Sequence, residues 1–578
     1  MGDFIWPTNT SVNHTVMKLQ AEIGAIERRL ETVDYNNNAF FLVTMAILIF
    51  LMQCGFAFLE AGSVRSKNTT NILIKNLLDS CISATCYWAC GWAFAYGEPA
   101  NAFLGFGQFL LIGLPEKQFP GWFFQFVFAA TASTIVSGAL AERCEFIAYF
   151  AYCGFLTAFV YPVVTHWAWD ESGWLAIGIN EVSYKDFAGS GVVHLLGGIS
   201  ALVGAAVLGP RIGRFDAPGK PKVQLTGHSV PFAAMGGFIL MFGFFAFNGG
   251  SQANISAEGD GQTVARAMTN TMLSGGFAAN TGLLFTKFFT RHKWSLLLAI
   301  NAALTGMVSA CAGCDVLEPW AACVVGIGAG LSYLLVSYLV ELGRVDDPLD
   351  AVAVHAGGGM WGLIVTPVLM HGGIIYAASN KDTWMRLAVN VIGAGAIIGW
   401  SAILMGCLFV LLRVLGLFRV SEEVEQKGLD IAKHGEPAYP LSAYGHGWEE
   451  ALAIPTWLES ISNDAEVRRR ISLQGAPNKQ RASQSRSGAK ANHNNNTPGA
   501  IVVASAPKEE PAPPGQMPDP ESPPDKWAYE NAEMHMMQLK NRHQSSRNSL
   551  GSPSANSTQK VAPTDPFTVK TATRQTHN

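Results

Sequence analysis

The chain has 578 residues, of which 49% are hydrophobic and only 14% are charged, and its formal net charge is −4 at pH 7. Soluble domains contain roughly 25% charged residues, and here the charged residues are sparse before residue 420 and dense after it. This composition excludes a soluble globular protein and indicates a polytopic membrane protein, for which we expect no nucleic-acid partner.

Residues 1–38 form a polar first segment. Six apolar residues in it are spaced alternately three and four apart, as in the seam of a coiled coil: Val16, Leu19, Ile23, Ile26, Leu30 and Val33. The spacing predicts a short coiled coil. An amphipathic helix that lies on the membrane or on the protein itself is the alternative, because so short a helix is marginal alone.

Apolar stretches of about 20 residues, long enough to cross a bilayer as helices, recur over 39–418. There are eleven of them: 39–61, 72–96, 120–141, 145–168, 189–209, 229–250, 267–289, 294–312, 317–340, 350–370 and 388–416. We therefore predict an all-α polytopic membrane protein with eleven transmembrane helices.

The basic residues of the connecting loops predict the orientation. The odd-numbered loops hold twelve Lys and Arg residues and the even-numbered loops hold five. Basic residues favour the cytoplasmic side, so we expect the N-terminus outside and the C-terminus inside. The sequons at Asn9 and Asn13 would then be accessible to glycosylation.

Ionisable residues within the predicted spans are costly and mark a functional site by default. Glu60 has an alternative place at a helix end near the interface, and Asp79 has an alternative partner in Lys75, four residues earlier on the same helix face. Asp186 and Asp350 each open a predicted helix, where a carboxylate commonly acts as a cap.

Two histidines have matching surroundings. His194 lies in VVHLLGG and His355 in AVHAGGG, and each follows an aspartate near the start of its helix. One is in the fifth span and the other in the tenth, which is what an inverted repeat of five plus five spans with one further helix predicts. A lone histidine is more often a packed core residue, but the repeat favours function.

Several kinds of site are disfavoured. A metalloenzyme needs three or four ligands, and a cation channel built on side chains needs a ring of carboxylates. We find neither pattern in the predicted spans. Two histidines flanked by glycines favour instead a narrow pore that admits a small neutral molecule and relays a proton. We expect no enzyme activity, no metal and no cofactor. The ten cysteines are interpreted as inert thiols, with a disulfide between Cys311 and Cys314 as the alternative.

The C-terminal part changes in composition. We predict a structured cytoplasmic segment over 419–454 and a disordered cytoplasmic tail over 455–578, which is rich in Pro, Ser, Asn and Gln. Basic residues before Ser472 and Ser483 favour phosphorylation or, equally, a merely solvated basic run. Cytoplasmic regulators are candidate partners of the tail.

Six motifs together resemble the ammonium transporter and methylammonium permease family, whose distant relatives are the Rhesus proteins. They are FLEAGSVRSKNTTNILIKN (58–76), FAATASTIVSGALAER (128–143), DFAGSGVVHLLGG (186–198), GFFAFNGGS (243–251), RVDDPLDAVAVHAGGG (344–359) and GLDIAKHGEPAY (428–439). The resemblance covers 39–440, and the first two motifs are similar to the plant and invertebrate branch.

The resemblance implies a homotrimer in the cell membrane with one pore per subunit, in contact with membrane lipid. It implies that His194 and His355 are the paired pore histidines, that Phe128 and Phe247 form the outer gate, and that ammonium is recruited at Trp169, Ser251 and Phe128. Asp186 matches the carboxylate that supports the recruitment site. Phe244 is a departure, because bacterial relatives carry Trp there.

The function implied is transport of ammonium and methylammonium, with ammonium recruited outside, deprotonated and conducted as ammonia, with or without the proton. The alternatives are an ammonium-sensing receptor that signals through its tail and a Rhesus-like ammonia gas channel. Trp169 and Ser251 argue against the gas channel.

Overall fold

The computed structural model describes residues 9–215, 225–290 and 293–440, with side chains from residue 13 onward. Over these ranges the chain is helical, and the only strand-like pairings are three isolated bridges. The helices are α1 (Asn9–Ser63), α2 (Thr69–Cys86), α3 (Trp92–Tyr96), α4 (Phe119–Leu140), α5 (Phe146–Phe155), α6 (Tyr161–Trp169), α7 (Trp174–Ile177), α8 (Leu196–Leu208), α9 (Val230–Gly250), α10 (Asp260–Phe289), α11 (Leu296–Ala310), α12 (Pro319–Leu342), α13 (Gly358–Leu369), α14 (Ile374–Ala377), α15 (Lys381–Val414) and α16 (Glu422–Lys427).

All eleven predicted spans fall on helical segments. Eight helical segments in the described residues are long and apolar enough to cross a membrane. The other three predicted spans correspond to α2 with α3, to α10, and to α11, which is a shorter apolar helix. The all-α polytopic fold is therefore confirmed, whereas the number eleven and the orientation stay predictions.

In the described ranges, five π-helical turns interrupt or follow the helices, and two of them are equivalent in the sequence repeat. Ser190–Leu195 leads into α8 and contains His194, and Val352–Gly357 leads into α13 and contains His355. Single π-turns occur frequently at functional sites. The repeat seen in the sequence thus corresponds to the same backbone feature in both halves.

Helices α1 and α9 cross at very small residues. A Cβ added to Gly236 would lie 2.1 Å from the backbone nitrogen of Leu59, and one added to Gly62 would lie 2.3 Å from that of Ala233. Close contact through small residues is the usual basis of helix association in membranes. The contact places Glu60 of α1 and Phe244 of α9 on neighbouring helices.

Buried ion pairs join the loops at one end of the bundle. Arg211 binds the carboxylate of Asp346 through its Nε at 2.7 Å and approaches Glu142 at 3.2 Å, and Arg65 binds Glu142 at 2.8 Å. Asp346 and Glu142 are almost fully buried. The pKa of Asp346 is lowered to about 2, because the hydrogen bonds and charge of Arg211 and the charge of Arg143 outweigh the effect of burial.

The domain boundaries predicted at residues 38 and 419 lie within the described residues. Helix α1 is continuous from Asn9 to Ser63, so no break in structure marks the boundary predicted at residue 38. Residues 419–440 of the C-terminal segment are described, and they lie against the loops before α2 and after α4 and α8. The remainder of that segment and the tail at 455–578, with Ser472 and Ser483, lie outside the described residues.

All ten cysteines are free thiols.

Candidate functional site

The candidate site begins with three aromatic rings from three helices. Phe128 of α4 stacks on Phe247 of α9, with ring centroids 4.0 Å apart and planes inclined by 25°. Trp169, at the end of α6, meets Phe128 edge to face at 5.9 Å. Phe124, one turn before Phe128, adds a fourth ring at 4.8 Å that sequence reasoning missed.

The two histidines continue this line inside the bundle. The His194 ring lies 5.4 Å from the Phe247 ring, and its Nδ1 lies 3.2 Å from Nδ1 of His355. Both histidines are buried. Two neutral imidazoles that share one hydrogen must be opposite tautomers, because one Nδ1 donates and the other accepts. The pair therefore presents one ring N–H and one ring lone pair at its two Nε2 atoms.

The Nε2 atom of His194 has no hydrogen-bond partner among the described residues. A buried polar atom without a partner costs about 1–3 kcal/mol, so a small molecule that exchanges a hydrogen bond with this nitrogen would be favoured there. Phe244, the departure noted in the sequence, packs against the same ring at 5.6 Å.

The glycines that follow each histidine bring the two half-helices together. A Cβ on Gly198 would lie 2.3 Å from the backbone nitrogen of Ala356, and one on Gly359 would lie 2.3 Å from the carbonyl oxygen of Ser190. The contacts are reciprocal between the fifth and tenth predicted spans. Glycine is required in both motifs because no side chain fits between the two histidine-bearing segments.

Asp186 is a helix cap in this structure. Its carboxylate accepts hydrogen bonds from the backbone N–H groups of Gly189, Gly191 and Val192 at 2.8–3.1 Å. Burial raises the pKa of Asp186 to about 6, and the backbone donors act in the opposite direction. Its backbone carbonyl also accepts the Nε1 hydrogen of Trp169 at 2.8 Å. Asp186 thus orients the outer aromatic site through the backbone.

The second predicted cap is not the aspartate that the sequence suggested. The backbone N–H of Val352 donates to the Asp347 carboxylate at 2.7 Å, whereas Asp350 accepts hydrogen bonds from Tyr333 and Ser337. The expectation that Asp350 caps the tenth span was wrong, because Asp350 has a positive φ of 57° and precedes the first helical turn. Only the backbone geometry distinguishes the two carboxylates.

The remaining candidate residues lie at or beyond the edge of this line. Ser251 ends α9, is partly exposed and donates to the carbonyl of Phe247 at 2.8 Å. Asn9 and Asn13 both belong to the first turns of α1, and the side chain of Asn13 is exposed. Neither asparagine contributes to the line of rings.

Comparison with known proteins gives consistent results. Residues 39–439 match the model of the Ammonium Transporter Family. A Caenorhabditis elegans protein assigned the name ammonium transporter 1 is 55% identical over 464 residues, which are 77% of this chain and 86% of that protein. Ammonium transporter 1 member 3 of Solanum lycopersicum is 39% identical over 432 residues, covering 70% of this chain and 93% of the relative.

Solved structures give the same fold. A protein described as a Sensor Amt Protein aligns with a TM-score of 0.65 and 31% identity, over 70% of this chain and all of that one. Mep2 of Candida albicans aligns with a TM-score of 0.60 over 67% of this chain and 87% of its own, and its 24% identity shows the fold alone. From these matches and the site geometry, the chain belongs to the ammonium transporter family and is an ammonium transporter.

Proposed function

We propose that ammonium is recruited at Trp169 and Phe128, loses one proton at the outer mouth, and crosses the bundle as ammonia past His194 and His355. The observation that carries this proposal is the unbroken line from Trp169 through Phe128, Phe247 and His194 to His355. Each ring along the line touches the next, and Nε2 of His194 is, among the described residues of the line, the fully buried nitrogen that lacks a hydrogen-bond partner.

The energetics of the two protonation states support this order of events. An aromatic face attracts a small cation by about 0.5–2 kcal/mol, which is sufficient for recruitment at an exposed site. Moving the bare ion into an apolar interior costs far more than moving neutral ammonia. Phe128 and Phe247 are buried, so they separate a region that suits the cation from one that suits the neutral molecule.

The same step accounts for selectivity against potassium. A potassium ion has no proton to lose and would have to pass the stacked phenylalanines with its full charge. The two buried imidazoles are hydrogen-bonded to each other, and no carboxylate of the described residues forms an ion pair or hydrogen bond with either ring. Methylammonium can lose a proton, and we propose that it is also a substrate.

The paired histidines provide the direct test. Replacing His194 or His355 by Ala should nearly stop ammonium-evoked current and methylammonium uptake, and the double variant should be little worse than the worse single variant, because residues that act as a unit are not additive. The exposed His371, outside the line, serves as a matched control when replaced by Ala. All variants are compared at equal surface expression. Mild and additive losses would contradict the proposal.

We further propose a homotrimer in the cell membrane, surrounded by lipid, with glycosylation at Asn9 and Asn13 on the outer side. The seam of α1 supports self-association, since its six apolar side chains are each 45–59% exposed in the single chain. The d positions of the seam are Leu19, Ile26 and Val33, and Ile at a d position favours trimers or tetramers, whereas Leu there favours dimers. Without self-association, this apolar surface would remain exposed in every copy of the chain.

Ammonium sensing is the second candidate function. The chain continues well beyond residue 439, where the family match ends, and one solved relative is described as a sensor. Removing residues 455–578 should then abolish an ammonium-dependent partner interaction while leaving uptake intact. A truncated chain that loses both functions equally would not support a separate sensing role.

A further inference from the structure

A buried carboxyl group that the transport route does not yet use lies in α1. Glu60 is only 1% exposed. Ser137 of α4 donates its hydroxyl hydrogen to the carboxylate at 2.6 Å, and Asn76 of α2 donates from its amide at 3.0 Å. Three helices thus hold the side chain in one place, although an ionisable group inside a membrane bundle is costly.

Glu60 shares a cavity with the inner histidine. The cavity has a volume of about 30 Å³, and its lining includes Glu60, Thr134, Phe244, Leu349 and His355. A single water-sized molecule needs roughly 10–15 Å³ by the same measure, so the space suits one or two molecules of that size. Of the two histidines and the two stacked phenylalanines, His355 lines the cavity and the others do not. The cavity therefore lies beyond the histidine pair, on the side away from Phe128 and Phe247.

Glu60 and His355 are the only ionisable residues that line this cavity within the described chain. The remaining lining is apolar apart from the hydroxyl of Thr134 and the amide of Asn301. A molecule that leaves His355 in this direction therefore meets one group that can give or take a proton. That group is the Glu60 carboxyl.

The charged and titratable neighbours of Glu60 do not fix its charge through an ion pair. Lys75 and Asp79 of α2 and Tyr149 of α5 are close enough to interact electrostatically with it, and His355 faces it across the cavity.

Lys75 donates to the carbonyl of Cys144 at 3.3 Å and lies over the Tyr149 ring. Asp79 accepts from Ser133 at 2.8 Å and from Thr134. No ion pair involves Glu60 in the part of the chain that the structure describes.

We propose that Glu60 exchanges protons with ammonia at the inner end of the pore, an inference that rests on the proposed passage of ammonia past His355. The carboxylic acid O–H bond breaks and its proton passes to the nitrogen lone pair of ammonia, which gives a Glu60 carboxylate and ammonium. Ammonium leaves to the inner side, and a hydronium ion from that side returns a proton to the carboxylate and becomes water. In the reverse direction, the carboxylate takes the proton from ammonium before ammonia enters the histidine line.

The test measures methylammonium uptake into vesicles that contain the full-length protein, with the internal pH set independently of the external pH. For Glu60→Gln, which keeps the size of the side chain and removes its titration, uptake should fall by about a hundredfold, the low end of what positioned acid–base groups contribute. Its dependence on internal pH should disappear. Glu60→Asp, which keeps a carboxyl group, should retain that dependence.

Asp79→Asn is the matched control. Asp79 is an equally buried carboxylate in the adjacent helix, but it does not line the cavity, so this variant should keep the wild-type dependence on internal pH. A Glu60→Gln protein with wild-type internal-pH dependence, or an Asp79→Asn protein that loses it as well, would overturn the proposal. If His355→Ala still stops uptake in that case, only the role of Glu60 is wrong and the histidine pore stands.

Discussion

Trp169 is held by one hydrogen bond and one ring contact. Its Nε1 hydrogen is donated to the carbonyl of Asp186, and its ring meets Phe128 edge to face. The carboxylate of Asp186 meanwhile fixes the start of the segment that carries His194. Asp186 therefore links the orientation of the Trp169 ring to the position of His194.

Replacing Trp169 by Leu should raise the ammonium concentration that gives half-maximal uptake by roughly 2- to 30-fold, because a cation–π contribution of about 0.5–2 kcal/mol is lost. The maximal rate should change less, since the histidine pair is untouched. The concentration dependence of methylammonium uptake measures both quantities.

Trp384 provides the control for this substitution, because it is 53% exposed and lies at the start of α15, away from the ring line. Trp384→Leu should leave the half-maximal concentration unchanged. An unaltered concentration dependence in Trp169→Leu would remove that residue from the recruitment site.

Among the helices, α2 depends on the C-terminal segment for its first turn. The backbone N–H of Asn71 donates to the Asp430 carboxylate at 2.9 Å, and the backbone N–H of Leu429 donates to the Asn68 side chain at 3.0 Å. His434 contacts the Asn71 side chain, and Tyr439 contacts His228. The GLDIAKHGEPAY motif therefore docks on the loops of its own chain. Because α2 also carries Asn76, docking is coupled to the helix that holds Glu60.

Docking of this segment should depend on pH through Asp430. Burial raises the pKa of Asp430 to about 6, against an ordinary value of about 3.9. The docked state then binds more protons than the undocked state between these values, so docking becomes less favourable as the pH rises through about 6. Hydrogen exchange of residues 428–436 in the full-length protein should show protection that decreases from about pH 4.5 to about pH 6.5, beyond the intrinsic pH effect.

Asp430→Asn isolates this contribution, because asparagine can also cap a helix but does not titrate in this range. The variant is needed since burial lowers the pKa of His434, which makes docking less favourable as the pH falls and so has the opposite sign. The variant should lose the decrease in protection that occurs between about pH 4 and pH 6. Equal pH dependence in both proteins would show that Asp430 does not control docking.

In the whole molecule, the N-terminal part of α1 is the feature that a single chain leaves incomplete. The helix extends from the bundle with its apolar seam exposed, including Ile23 at 54% and Ile26 at 59%. Burying one such side chain contributes about 1.5–3 kcal/mol. Three symmetry-related copies would bury the seam without any contribution from the membrane.

Ile26→Asp should therefore weaken the proposed trimer in mild detergent, lowering its dissociation temperature, because three carboxylates would meet in the seam. Ala25→Asp introduces the same charge on the neighbouring exposed position outside the seam and should leave the trimer unchanged. Native mass measurement of the purified full-length protein distinguishes them. Equal trimer stability in both variants would favour a helix that lies on the membrane instead.

The sequence by itself determined the helical membrane fold and indicated the two histidines of the proposed pore. Long apolar stretches can satisfy their backbone hydrogen bonds in a bilayer only as helices or closed barrels, and the repeated VVHLLGG and AVHAGGG motifs identified His194 and His355. These features are local, since hydrophobicity and spacing act along one helix. The comparisons confirm the family that the six motifs indicated.

Other features were decided only by the tertiary structure, because they depend on which helices become neighbours. Asp347 rather than Asp350 caps the tenth span, since φ at Asp350 is positive. Asp79 and Lys75, candidates for an ion pair on one helix, bind groups on other elements. The sequence left open whether Glu60 marks a functional site or only lies at a helix end; it lies three residues before the end of α1 and also lines the cavity beside His355, because α1, α4 and α9 meet there. Spacing along a sequence predicts contacts within a helix, whereas the packing of separate helices fixes which buried carboxyl group lines the cavity beside His355.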